Sequence, residues 1–231
     1  MIILITGTRK GIGYNLAKRY LSEGHFVIGC SRNECDIEDK DYCHYLVDIT
    51  NEKDVNGFVS EIKAKFNHVD VLINNAGAAA MNHFLFTPVE TAKSIMELNY
   101  IGSFICARAF VNLLKKSDHP RIINFTTVAV PLNLAGELAY VASKSAIESF
   151  TKVLSKELAH LKITVNAIGP GPTETDLIGR IPKAKIDDLI NNQTIKRMGT
   201  FADIANVIDF FISPGSDFIT GQIIYLGGIC K

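Results

Sequence analysis

Ile2-Ile3-Leu4-Ile5-Thr6-Gly7-Thr8-Arg9-Lys10-Gly11-Ile12-Gly13 reads as a strand, a glycine turn and the start of a helix. The first four residues form an unbroken apolar run rich in β-branched side chains, the pattern of a strand buried on both faces. An amphipathic helix follows through Leu16, Ala17, Tyr20 and Leu21 and closes near Gly24. Strand, turn and helix in that order raise a glycine pattern above chance. Gly7 permits the tight turn, while Gly11 and Gly13 let backbone and helix approach a pyrophosphate. The helix N-terminus then offers N–H donors and a partial positive charge to the anion. The spacing is G-x-x-x-G-x-G, not the commoner G-x-G-x-x-G. For the motif alone, a helix-start turn that holds no ligand is the plainer alternative.

Outward from that stretch, strands alternate with helices. Phe26 to Cys30 reads as a second strand and Tyr45-Leu46-Val47 as a third. Only twelve residues, Asn33 to His44, separate them, which suits an abbreviated helix or a bare loop better than a full crossover helix. Glu52 to Phe66 is a helix with Val55, Phe58, Val59, Ile62 and Phe66 on one face, capped by Thr50 or Asn51. Val69 to Ile73 is the fourth strand. Pro88 to Asn99 and Gly102 to Lys116 form one long helix, kinked near Asn99 to Gly102. Arg121 to Phe125 is the fifth strand, Leu138 to Leu161 a long helix, and Ile163 to Ala167 the sixth strand. Phe201 to Ile212 is a helix, and Gln222 to Leu226 the last strand. From Thr173 to Thr200 the pattern loosens, which suggests a substrate lid over 173–200. The expectation is a single domain over residues 1–231, α/β in class. A doubly wound parallel sheet of about seven strands would carry helices on both faces.

Composition excludes several functions. The 24 basic and 24 acidic residues cancel, so no charge excess points to nucleic acid or an anionic membrane. No run approaches the ~20 apolar residues of a membrane span, and Thr6 and Gly7 interrupt the first apolar run too early for a signal peptide. Five cysteines, Cys30, Cys35, Cys43, Cys106 and Cys230, lie scattered without a C-x-x-C pair. That suits a reduced, cytoplasmic chain with no metal site.

Two groups of residues carry chemistry. Tyr140 and Lys144 lie four apart and share a helix face. An ammonium beside a phenol would lower the tyrosine's pKa towards neutrality, which suits proton transfer at a carbonyl or alcohol. For Y-x-x-x-K alone, an exposed helical pair without a role is the better reading. At the end of the second strand, Ser31 stands where dinucleotide folds place a ribose-binding acid, and Arg32 follows. Arg9, Lys10 and Arg32 can surround a 2′-phosphate, which favours NADP(H), with NAD(H) possible. Asp36 and Asp39 are nearby acids that count the other way.

These motifs fall in order: Thr6 to Gly13, Asn74-Asn75-Ala76-Gly77, Asn99, Tyr140 to Lys144, and Asn166 to Gly171. Together they resemble the short-chain dehydrogenase/reductase family over nearly the whole chain, most like 3-oxoacyl-(acyl-carrier-protein) reductases. The resemblance implies a seven-stranded Rossmann sheet and hydride exchange between NAD(P)(H) and a carbonyl or secondary alcohol. It implies Tyr140 as general acid, Lys144 as its partner and a ligand of the nicotinamide ribose, and Asn99 as holder of a relay water. Gly7, Arg9, Lys10, Gly11, Ile12 and Gly13 would surround the phosphates, and Asp48 and Ile49 the adenine. Asn75, Ala76 and Gly77 would border the adenosine side, and Pro170, Gly171, Thr173 and Thr175 the nicotinamide. The family also implies a homo-oligomer, dimer or tetramer, with Phe104, Ala107, Phe110, Ala146, Phe150 and Leu154 as apolar contact material. Two departures stand out. Thr127 replaces the usual catalytic serine, with Thr126 as an alternative donor. Leu161 stands where acyl-carrier reductases often have arginine. A sugar or secondary-metabolite oxidoreductase is therefore the second reading, and a nucleotide-binding regulator without turnover the third.

Overall fold

The computed structural model describes residues 1–174 and 183–229. Its strands are β1 (Ile2–Thr6), β2 (Phe26–Ser31), β3 (Tyr42–Leu46), β4 (Val71–Asn74), β5 (Arg121–Phe125), β6 (Thr164–Gly169) and β7 (Ile223–Tyr225). The helices are α1 (Gly11–Ser22), α2 (Glu52–Lys65), α3 (Val89–Met96), α4 (Gly102–Leu114), α5 (Ala129–Leu132), α6 (Leu138–Glu157), α7 (Lys183–Asn192) and α8 (Phe201–Ile212). All seven strands run parallel in one sheet, ordered β3-β2-β1-β4-β5-β6-β7.

Strand alternation builds two apolar layers from one sheet. Ile3 and Ile5 of β1 meet Leu16, Ala17 and Tyr20 of α1 and Ile204 and Ile208 of α8. Leu4 faces the other way, towards Val55 and Phe58 of α2 and Phe110 of α4. Successive side chains of a strand point to opposite faces, so β1 is apolar throughout. The strand order reverses at β1. After β2 and β3 the chain crosses back to place β4 on β1's other side, and a crevice opens outside their carboxyl ends. A buried polar chain holds α6 over that region. The Asn74 amide donates to the Asn124 carbonyl (2.9 Å), and the Asn124 amide donates to the Thr151 hydroxyl (3.0 Å). Among the described residues no helix is long and apolar enough to cross a membrane.

Several expected boundaries move. The third strand is Tyr42–Leu46 and not Tyr45–Val47, because Tyr42 to Leu46 pair with Val27 to Ser31. No helix forms between β2 and β3, as the short connection predicts. The fourth strand begins at Val71, and the sixth runs on to Gly169. The long helix ends at Glu157, followed by a 3-10 turn, with Lys162 in the left-handed region (φ 59°). The kink near Asn99 is a π-helical turn, Glu97–Ile101, between α3 and α4. The expected lid over 173–200 contains a helix, α7, that its loose pattern hid. The short α5 was likewise unforeseen. Of the apolar residues expected at a subunit contact, Ala107 and Phe110 are buried against their own sheet. Phe104 and Phe150 stay near the surface and stack with Tyr100, with centroids 5.9–6.4 Å apart.

Candidate active site

The glycine turn is built for a close ligand. Gly7 (φ 78°) and Gly11 (φ 66°) occupy the left-handed region, where a side chain would be strained. A Cβ on Gly13 would run into the Gly7 carbonyl and the Asn75 amide. Asn75 donates its amide to the carbonyls of Thr6 (2.8 Å) and Gly7 (3.2 Å), while the Thr6 hydroxyl accepts the N–H groups of Asn75 and Ala76. The ends of β1 and β4 are thereby fixed to each other. α1 starts at Gly11 without a side-chain cap and without an acid in its first turn. Its leading N–H groups and partial positive charge are left for an anion, and open space lies beyond the position a Gly11 Cβ would take. The turn fits a dinucleotide pyrophosphate.

At the end of β2, the Ser31 hydroxyl donates to the Asn33 carbonyl (2.6 Å) and lies 3.1 Å from His44 Nε2. Arg9 and Arg32 are exposed beside it, and neither forms an ion pair among the described residues. Asp48 is turned to local work, accepting the N–H (3.0 Å) and hydroxyl (2.7 Å) of Thr50.

The other end of the crevice gathers Tyr140, Lys144 and Thr127. The Thr127 hydroxyl accepts the Ala129 N–H (3.2 Å) and lies near enough to the Tyr140 phenol to favour its ionised form. Thr126 takes no part: its hydroxyl donates to Glu148 (2.9 Å), which also accepts the Tyr225 hydroxyl (2.5 Å). Burial pushes the Tyr140 phenol up to about 12; the nearby Thr127 hydroxyl opposes the rise and the Glu137 charge adds to it. Burial also pushes the Lys144 amine down to about 8, and its Nζ donates to the Phe125 carbonyl (2.8 Å). The expected lowering of the tyrosine by the lysine is therefore reversed. Desolvation governs both groups, and Lys144 is engaged by the end of β5. Asn99 sits in the π turn, where its amide donates to the Ala78 carbonyl (2.9 Å) and the Ser143 hydroxyl (2.8 Å) and its carbonyl accepts the Ala78 N–H (2.8 Å). It stands behind the wall and does not line the cleft. Gly77 allows this packing, since a Cβ there would lie 3.0 Å from Asn99 Oδ1 and 3.5 Å from Lys144 Nζ.

One cleft of about 530 Å³ joins the two ends. Its walls contain Gly7, Arg9, Lys10, Gly11, Ile12, Ser31, Arg32, Asp48, Ile49, Asn75, Ala76, Gly77, Thr127, Tyr140, Lys144, Pro170, Gly171 and Thr173. Of the expected residues, Gly13 supports the wall from behind and Thr175 lies outside the described residues. The sequence reading missed Ala78, Ala79, Leu98, Val128, Leu134, Glu137 and Leu189, which also line the cleft. Glu137 was within reach, because it lies one helical turn before Tyr140.

The family model described as enoyl-(acyl carrier protein) reductase matches residues 7–228. The chain is a short-chain dehydrogenase/reductase. It is 30% identical over 234 residues to the 3-oxoacyl-(acyl-carrier-protein) reductase FabG of Haemophilus influenzae, covering 98% of this chain and 96% of that protein. It superposes with a TM-score of 0.89 on the ligand-free aldohexose dehydrogenase of Thermoplasma acidophilum, at 27% identity, covering 99% and 93% of the two chains. The 3-ketoacyl-(acyl-carrier-protein) reductase of Brucella melitensis complexed with NADH gives 0.89 at 27% identity, covering 97% and 96%. The protein is thus an oxidoreductase of the alcohol–carbonyl pair that binds a nicotinamide nucleotide, most like the FabG reductases.

Proposed function

We propose that this short-chain dehydrogenase/reductase is an NADP(H)-dependent carbonyl reductase or secondary-alcohol dehydrogenase in which Tyr140, Thr127 and Lys144 form the reacting corner. The observation that carries this reading is that Thr127, Tyr140 and Lys144 line the same cleft as the uncapped glycine turn. Bound NADP(H) would supply or accept the hydride at the substrate carbon. In reduction, Tyr140 gives its phenolic proton to the carbonyl oxygen, and its raised pKa keeps that proton in place at neutral pH. Thr127 donates a second hydrogen bond where negative charge develops. Lys144 serves the nicotinamide ribose, and Asn99 acts by fixing the wall through Ala78 and Ser143.

Arg9 and Arg32 support the choice of NADP(H), since both line the cleft and Asp36 and Asp39 do not. Arginine pairs bidentately with phosphate. Arg32→Ala should weaken NADPH binding by roughly 10- to 100-fold and NADH binding far less, with equal losses ruling the assignment out. By resemblance the first substrate class to test is a 3-oxoacyl thioester. A hydroxyl-bearing ketone or sugar is the second reading, favoured by the acid Glu137 in the cleft wall. NADPH oxidation with a panel of 3-oxoacyl thioesters, small ketones and keto sugars distinguishes them. The segment 173–200, with Leu189 of α7 on the cleft, would serve as the substrate lid of a single domain. The free Cys30, Cys35, Cys43 and Cys106 suit a cytoplasmic protein.

A further inference from the structure

Glu137 is a buried acid that the reductase chemistry leaves unused. It is 6% exposed, occupies the N-cap position of α6 without a side-chain cap, and lines the cleft. Among the described residues its carboxyl group closes no hydrogen bond and no ion pair. The cleft it lines also holds the apolar Val128, Ala129, Leu134 and Leu189. Burying a carboxylate costs free energy unless donors meet it, and the Glu137 oxygens are not among the fully buried ones, so water reaches them until a ligand displaces it. The cation that faces it from α7 is Lys185, whose ammonium is bonded to the Met81 sulfur (3.6 Å) and not to the acid. Burial pushes the Glu137 carboxyl up, and Lys185 opposes the rise. Glu137 also lies close enough to Tyr140 for its charge to act on the phenol. One helical turn separates the two residues, so their side chains are neighbours.

We infer that Glu137 is a specificity-determining residue that accepts a hydrogen bond from a hydroxyl on a carbon next to the reacting carbonyl. The assignment rests on the carbonyl-reductase reading and narrows its substrate class to neutral hydroxyketones and related polyols. An ammonium-bearing substrate is disfavoured by Lys185, and a carboxylate next to the carbonyl would meet Glu137 as a like charge. A 3-oxoacyl thioester offers no donor there, only a methylene and the thioester carbonyl. A site built to bond a substrate hydroxyl discriminates against an analogue lacking it, because its own polar group is then left unpaired.

The test uses isosteric pairs in which a hydroxyl replaces a methyl: hydroxyacetone against butanone, and 2-hydroxycyclohexanone against 2-methylcyclohexanone. NADPH-dependent kcat/KM is measured for the parent, Glu137→Gln and Glu137→Leu, with NADPH Kd from fluorescence titration. The parent should prefer the hydroxylated member of each pair. Glu137→Leu should reduce that preference by roughly 10- to 100-fold, chiefly through the KM of the hydroxylated member, while NADPH Kd stays unchanged. Glu137→Gln, which keeps an acceptor without the charge, should fall between. Unchanged preference in Glu137→Leu, or a parent that favours the methylated member, overturns the assignment and leaves the reductase reading standing. A parent that binds NADPH yet reduces no carbonyl compound overturns that reading, and this inference with it.

Discussion

Thr127 carries a hydroxyl and a methyl on one β-branched carbon, and its stiff χ1 decides which of them faces the substrate. The hydroxyl lies beside Tyr140, and that of Thr126 is bonded to Glu148, which leaves Thr127 as the candidate second donor. Thr127→Ser should keep substantial activity. Thr127→Val has nearly the same shape without the donor and should lower kcat by roughly 10²–10³. Steady-state kinetics with the best carbonyl substrate checks both; an unimpaired valine variant removes Thr127 from the reacting set. Lys144 yields a pH prediction. Its amine falls from 10.5 to about 8 on burial, so between these values the unfolded chain holds more protons than the folded one. Stability from this group therefore rises with pH from about 8 towards 10. Buried thiols and tyrosines raised by desolvation give the opposite slope in the same range, and they are shared by any Lys144 variant. Denaturant unfolding of the cofactor-free protein should show the parent gaining about 2 kcal/mol relative to Lys144→Met between pH 8 and 10. A constant difference would contradict the burial of a charged amine. Tyr140 and Lys144 could be paired from their spacing, and Thr127 named only through the family resemblance. The direction of the tyrosine's shift could not be foreseen, because burial depends on the walls that α6 and the strand ends build around it.

The glycine turn is the element on which cofactor binding depends. Gly13→Ala adds a single methyl against the Gly7 backbone carbonyl and against the Asn75 amide, which the carbonyls of Thr6 and Gly7 hold in place. The turn must open, at a cost of about 1–3 kcal/mol, and NADPH binding should weaken by at least tenfold. Calorimetric titration reads this directly; an unchanged Kd would mean that the turn does not hold the phosphates. This turn and α8 were legible because each strong local signal agrees with its tertiary setting. α8 carries Ile204, Ala205, Ile208 and Phe211 on one buried stripe and starts at the Thr200–Asp203 capping box. α7 was illegible because it buries only Leu189 among polar neighbours. β3 was placed three residues late because, at the sheet edge, none of its side chains is buried, so the most apolar triplet misled. The kink near Asn99 to Gly102 was legible but its π-helical form, Glu97–Ile101, was not; Asn99 bonding to Ala78 accompanies it.

At the scale of the whole molecule, Tyr100, Phe104 and Phe150 form an aromatic group on α4, α6 and the π turn, with Phe104 40% and Val153 54% exposed. Apolar material of this kind on paired helices supports a homo-oligomer. Light scattering at micromolar concentration should give a dimer or tetramer mass, and Phe104→Glu with Val153→Glu should lower it. A monomer mass for the parent would refute the assembly. The doubly wound parallel sheet could be foreseen from the alternation of strands and helices, whereas which face of α4 is exposed could not. Helical spacing does not distinguish Phe104, at the surface, from Phe110, buried beneath α4.

The central claim is that Tyr140 delivers the proton as NADPH reduces a carbonyl in this cleft. Its most direct test is carbonyl-dependent loss of reduced-nicotinamide absorbance by the parent and Tyr140→Phe, with NADPH Kd measured for each. The parent should oxidise NADPH only with a carbonyl substrate present. Tyr140→Phe should bind NADPH with unchanged affinity while its kcat falls by about 10²–10⁴. A phenylalanine variant as active as the parent would contradict the claim.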